Sequence, residues 1–115
     1  MSSLARSNLE RVFNERDAGR RRAAIEELYA RDAVMYEVQA AYAGIDAIAA
    51  AVAHLLEALP PTLRFTVVAA STNHDLEKLR WRGQLPDGTV VATGTDVVQV
   101  ESGRIRAIHV FLDPS

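Results

Sequence analysis

Three side chains in this sequence have the types for acid–base chemistry: Glu37 or His109 to move a proton, and Asp96 to stabilise the charge that develops or to orient His109. Asp96 and His109 lie in the last quarter of the chain, Thr89 to Asp113, TVVATGTDVVQVESGRIRAIHVFLD. Its Val, Ile and Thr content reads as two strands joined at Ser102-Gly103, because Gly accepts the positive φ of a two-residue hairpin loop. That loop sets Glu101 opposite Arg104, Val100 opposite Ile105, Val98 opposite Ala107 and Asp96 opposite His109. Alternation then puts Asp96, Val98, Val100, Ile105, His109 and Phe111 on one face. A carboxylate facing an imidazole among apolar neighbours is the sharpest chemical feature here.

An ionised Asp96 in such surroundings carries a desolvation cost unless it is paired or protonated. It is then either a neutral hydrogen-bond donor or the partner of a protonated His109, whose ring it would orient. A third outcome is an Asp–His hydrogen bond that only fixes the hairpin. With a reference pKa of about 6.5, His109 suits acid or base work near neutral pH. Glu37 ends a short strand, Ala33 to Val38. Alternation leaves open which of Tyr36 and Glu37 faces inward, so Glu37 is a pocket base or a rim carboxylate.

Trp81 shares the parity of Leu79, opposite to Arg80 and Arg82, and reads as a pocket wall, plain core or a surface on which a ligand stacks. His54 lies on a helix among alanines and His74 in a turn, so neither is given a role. No His-x-His or Glu-x-x-His spacing occurs, and no phosphate-binding glycine loop, dinucleotide fingerprint or GxSxG element. Neither a metal nor an organic cofactor is expected.

The elements that must position these groups follow from periodicity. Ala5, Leu9, Val12 and Phe13 share one face of a first helix over Ser3 to Asp17, which Gly19 stops. A second helix starts at Arg20-Arg21-Arg22, read as a solvated face, and carries Ile25, Leu28 and Tyr29 inward to about Asp32. A third, roughly Asp46 to Leu59, has the stripe Ile48, Val52, Leu55 and Leu59 and ends at Pro60-Pro61. Strands follow over Leu63 to Thr72 and Leu76 to Leu85, then the hairpin. Helices first and antiparallel strands afterwards predict one α+β domain over 1–115. The other sheet face would carry Val91, Val97, Ile108, Val110 and Leu112, an apolar patch expected to pair two copies in a homodimer.

A formal net charge of -2 implies no general attraction to nucleic acid or to an anionic membrane. Even the apolar stretch Ile45 to Leu59 is interrupted by Asp46, His54 and Glu57, so no bilayer-spanning segment is expected. The chain has no cysteine, which favours a cytoplasmic location, and its N-terminus lacks the unbroken apolar core of a signal peptide.

The order of elements resembles the nuclear transport factor 2-like superfamily, which includes SnoaL-like cyclases and ketosteroid isomerases. The resemblance rests on Tyr29-Ala30-Arg31-Asp32-Ala33, Gly44 with Ile48, Trp81, Gly94-Thr95-Asp96, and Glu101-Ser102-Gly103-Arg104-Ile105 before Phe111. It implies a cone, with a strongly curved mixed or antiparallel sheet wrapped around the three helices, and a pocket for a small hydrophobic molecule. Among steroid isomerases the general base matches Glu37 here, and a second, protonated carboxyl group matches Asp96. Their oxyanion tyrosine falls on Val12 or Phe13, so Tyr29 or Tyr36 would have to supply any phenol. Where the family's hydrolases carry a last-strand aspartate, this chain has Val110. The resemblance implies an isomerase or cyclase acting by proton transfer beside a carbonyl, or a non-catalytic ligand-binding or dimerisation module. Residues expected around the ligand are Trp81, Tyr29, Tyr36, Phe13, Val98 and Phe111.

Overall fold

The computed structural model describes residues 3–114. Helix α1 (Leu4–Asn8) runs into a π-helical stretch, Leu9–Phe13, and is followed by α2 (Ala18–Leu28). Two strands, β1 (Tyr29–Tyr36) and β2 (Ala41–Ala43), precede α3 (Ile45–Ala58). The chain ends in β3 (Arg64–Asn73), β4 (Leu76–Gln84), β5 (Val90–Glu101) and β6 (Arg104–Leu112). The six strands form one mixed sheet in the order β2-β1-β6-β5-β4-β3, parallel only between β1 and β6. The expected α+β cone is therefore present, curved but not closed.

Local chemistry explains most boundaries. The Ser3 hydroxyl accepts from the Arg6 amide at 3.1 Å and caps α1, while Glu77 on β4 accepts from the Ser3 hydroxyl and the Ala5 amide. Asp17 caps α2 through the Arg20 amide at 2.8 Å, so Gly19 lies inside the first turn of α2 and does not separate two helices. Helix α2 stops at Leu28, four residues earlier than expected. Tyr29 leaves the helix extended and pairs with Ile105 of β6, so sheet pairing overrides the helix propensity of Ala30 and Arg31. The segment before Gly44 holds the short strand β2.

The helices cover the concave side of the sheet. Ala5, Leu9, Val12, Ile25, Leu28, Ile48 and Val52 pack there against Leu79, Val98, Ile105 and Ile108. Curvature comes from single extra residues that break the register: Val68 in β3, Val91 in β5 and Arg106 in β6.

The last of these bulges corrects two expectations. The loop is Ser102-Gly103, with positive φ at both residues, and Glu101–Arg104 and Val100–Ile105 pair as expected. Beyond Arg106 the ladder slips by one residue, so His109 faces Val97 and Asp96 faces Val110. A one-residue slip turns every later side chain to the other face. His109 and Phe111 therefore lie on the convex side, and Ile108 is fully buried on the concave one. The face assigned to a homodimer is corrected by the same step. Ile108 is core, Val110 lines a cavity on the concave side with the exposed Leu112 and the exposed, bulged Val91, and Val97 lies on the convex face.

Candidate functional site

Strands β4 and β5 build the centre of the site. Leu79 pairs with Asp96 and Trp81 with Gly94, so Trp81 and Asp96 are diagonal neighbours on the concave face. Gly94 makes their meeting possible. A β-carbon there would overlap the Trp81 ring and the Phe111 carbonyl, so only glycine lets the indole lie across β5. The Trp81 Nε1–H then donates to Asp96 Oδ1 at 2.9 Å. Asp96 is only 3 % exposed, and burial pushes its carboxyl up to about 7, with the Trp81 hydrogen bond acting in the opposite sense.

The other Asp96 oxygen has no protein partner among the described residues. It opens on a cavity of about 650 Å³. The walls are apolar, from Leu9, Leu55, Leu59, Leu63, Val110 and Leu112. An aromatic row runs along one side: Phe13 meets Phe65 edge-on at 6.1 Å, and Phe65 meets Trp81 edge-on at 5.4 Å. Val38, Gln39, Ala40 and Val91 contribute exposed residues to the lining, and Glu37 and Tyr42 join them half-buried.

Two polar residues outside the cavity hold these walls. Asn14 donates to the Phe65 carbonyl at 2.8 Å and accepts from the Phe65 amide at 2.7 Å, acting as a further rung beside edge strand β3. Arg16 donates to the carbonyls of Leu56, Pro60 and Leu63, tying the end of α3 to the loop that carries Leu59 and Leu63. Behind the site, the Tyr29 hydroxyl donates to Asn8 Oδ1 at 2.7 Å, while Asn8 Nδ2 is buried without a partner. Burial and the charge of Asp96 both raise the Tyr29 phenol, which is therefore neutral.

The expected site residues thus separate. Asp96, Glu37, Trp81 and Phe13 line the cavity. Between Tyr36 and Glu37 it is Glu37 that faces inward. Tyr36 lies outside, its ring stacked on His109 at 4.5 Å between centroids. The expected Asp96–His109 pair does not form, because the Arg106 bulge puts the two on opposite faces. Tyr29 and Val98 are core residues that do not line the cavity, and Phe111 is 54 % exposed on the convex side. Leu9, Leu55, Leu59, Leu63, Phe65 and Tyr42 were not anticipated as lining. For Leu55 and Leu59 the signal was present, since they form the flank of the α3 stripe next to its buried centre, Ile48, Val52 and Leu56.

A second depression, about 780 Å³ and polar, lies over Arg22, Glu26, Asp46 and Arg104. Two of its three cations are engaged, Arg22 with Asp46 at 2.6 Å and Arg104 with the carbonyls of Glu26 and Glu27, and the third, Arg31, is exposed. Among the described residues no group of three or more His, Asp or Glu side chains is placed to hold a metal ion. No helix among them is long and apolar enough to cross a membrane.

The profile of the SnoaL-like domain matches residues 7–108. The chain belongs to the SnoaL-like family. Its fold overlays a candidate isomerase of that family from Agrobacterium tumefaciens with a TM-score of 0.88 and 30 % identity, over 96 % of this chain and 95 % of the other. A candidate SnoaL-like polyketide cyclase from a Jannaschia species gives 0.81 at 17 % identity, over 96 % and 83 %. A de novo designed protein with a curved β-sheet gives 0.75 at 15 % identity, over 99 % and 89 %. No curated protein matches the sequence.

Proposed function

We propose that this SnoaL-like protein is a cofactor-independent isomerase or cyclase. It would move a proton next to the carbonyl of a small, neutral, hydrophobic molecule. The observation that carries this reading is Asp96: one carboxyl group, held by Trp81, at the inner end of an apolar cavity, with its second oxygen free and its pKa pushed up to about 7. A base of that strength is ionised often enough at neutral pH to take a carbon-bound proton, and its acid form is strong enough to return it.

Asp96 Oδ2 removes the proton from the carbon beside the carbonyl, leaving an enolate and a neutral carboxylic acid. In an isomerisation the same acid returns the proton to the far carbon of the conjugated system. In an aldol cyclisation the enolate carbon attacks a second carbonyl of the same molecule, and the acid protonates the new alkoxide. Both sequences balance without an electron acceptor. Glu37 is the second carboxyl of the cavity and supplies a further proton acceptor near the exposed lining residues. His109, on the convex face, takes no part.

The test follows β,γ-unsaturated cyclic ketones by proton NMR in D₂O, reading conversion to the conjugated isomer and deuterium uptake. Wild type and His109→Ala are expected to turn over equally, and Asp96→Asn to lose at least about 100-fold, the scale of a general acid–base contribution. Turnover that survives Asp96→Asn sinks the proposal. Ketones that bind without exchange or conversion would instead support a non-catalytic ligand-binding module of the same fold.

A further inference from the structure

The cavity carries charge of one sign. Asp96 and Glu37 are both among its lining residues, and among the described residues no Arg, Lys or His lines it. At the inner end one carboxyl oxygen is taken by Trp81 and the other is free, with the rings of Phe13, Phe65 and Trp81 alongside. A carboxylate stripped of water gains more from a charged donor than from a neutral one, and aromatic faces attract cations. An anionic ligand would bring a third negative charge into the same apolar space.

We propose that the cavity binds hydrophobic amines in their protonated form, the ammonium on the free oxygen of Asp96 and the hydrocarbon against the aromatic row. This inference uses the same carboxyl group as the proposed reaction and stands without it, since it requires binding and no turnover.

The groups facing Asp96 make the pH dependence simple. Trp81 on β4 donates a neutral N–H, Tyr29 on β1 is a neutral phenol, and Leu9 and Phe13 from the helical side bring no charge. Glu37, beyond the end of β1, is the other carboxyl of the cavity. Amines stay protonated up to roughly pH 10, so the charge that changes between weakly acidic and weakly basic solution is that of the carboxyl.

Trp81 is the only tryptophan in the chain and lines the cavity, so its fluorescence reports occupancy. The probes are three compact molecules of one shape: adamantylamine, adamantanol and adamantane carboxylate. In weak base the wild-type protein is expected to bind the amine at least about tenfold tighter than the alcohol, as a charge-assisted hydrogen bond allows, and the carboxylate more weakly than the alcohol. In weak acid, with Asp96 protonated, the preference for the amine should vanish. Asp96→Asn should reduce amine affinity to that of the alcohol, whereas His109→Ala, on the convex face, should keep the preference. Equal affinity for amine and alcohol in weak base overturns the proposal, as does a preference that survives Asp96→Asn. If that variant does not fold, the pH series on the wild-type protein decides alone. Failure of ketone turnover leaves these outcomes untouched, so the two readings fail separately.

Discussion

Replacing Asp96 by Asn should stabilise the protein, and only above a definite pH. In the folded state the carboxyl is buried and titrates at about 7, whereas its ordinary value is 3.8. Below both values it is neutral in either state, and Asn is a near isostere. As pH rises through the window between them, the unfolded chain ionises while the folded one holds its proton. The unfolded state then binds fewer protons, so wild-type stability falls with rising pH and levels off above about 7. A rise from 3.8 to about 7 corresponds to roughly 4 kcal/mol at weakly basic pH. Asn does not ionise, so it should recover most of that amount there. For a domain of this size that is an increase in Tm of the order of 10 °C. The assay is urea or thermal unfolding of both proteins near pH 4 and near pH 8.5, read as the difference between them, which cancels every other titrating group. A stability gain of equal size at both pH values, or a loss near pH 8.5, would refute the claim that desolvation of this carboxyl governs the site.

Three further outcomes follow from the same geometry. Gly94→Ala should drive the Trp81 ring off β5 and destabilise the fold by about 1–3 kcal/mol, the usual cost of overpacking; denaturant titration and the loss of the Trp81–Asp96 contact in the fluorescence spectrum would check it. Trp81→Phe removes the one hydrogen bond that holds Asp96 down, so the basic form should appear at higher pH, seen as an upward shift of the acid limb of any pH–rate profile. Arg16→Ala frees three carbonyls and should cost about 2 kcal/mol, and ligand affinity should fall with it because Leu59 and Leu63 lose their anchor; an unchanged affinity would show that the loop holds itself.

Most of the architecture was legible because periodicity is strong where burial is one-sided. The α3 stripe, the Ser102-Gly103 turn and the strand order after Pro60-Pro61 each follow from local chemistry. So did the placing of Asp96 inside, since its neighbours Val98 and Val100 share its face ahead of any break. What failed was the assumption that alternation continues unbroken through β6. The signal against it was present: Ile108, Val110 and Leu112 form a more aliphatic set than Ala107, His109 and Phe111. Keeping an apolar concave face on both sides of the turn therefore requires a change of parity between Ile105 and Ile108. The Trp81–Asp96 bond was illegible for another reason, because it depends on the space left by Gly94 and not on any pattern of polarity. Helix α2 was overextended because Ala30 and Arg31 favour helix locally, while the pairing of Tyr29 with Ile105 lies 76 residues away along the chain.

The unpaired Arg106 makes the inner lining a matter of counting. Loss of a single codon between Ile105 and Ile108 would swing an imidazole and a benzyl group in towards the carboxyl and turn three aliphatic side chains out to solvent. Proteins built on this frame thus have a route to new interior chemistry that replaces no reactive side chain, only the tally of residues in one rung of the ladder.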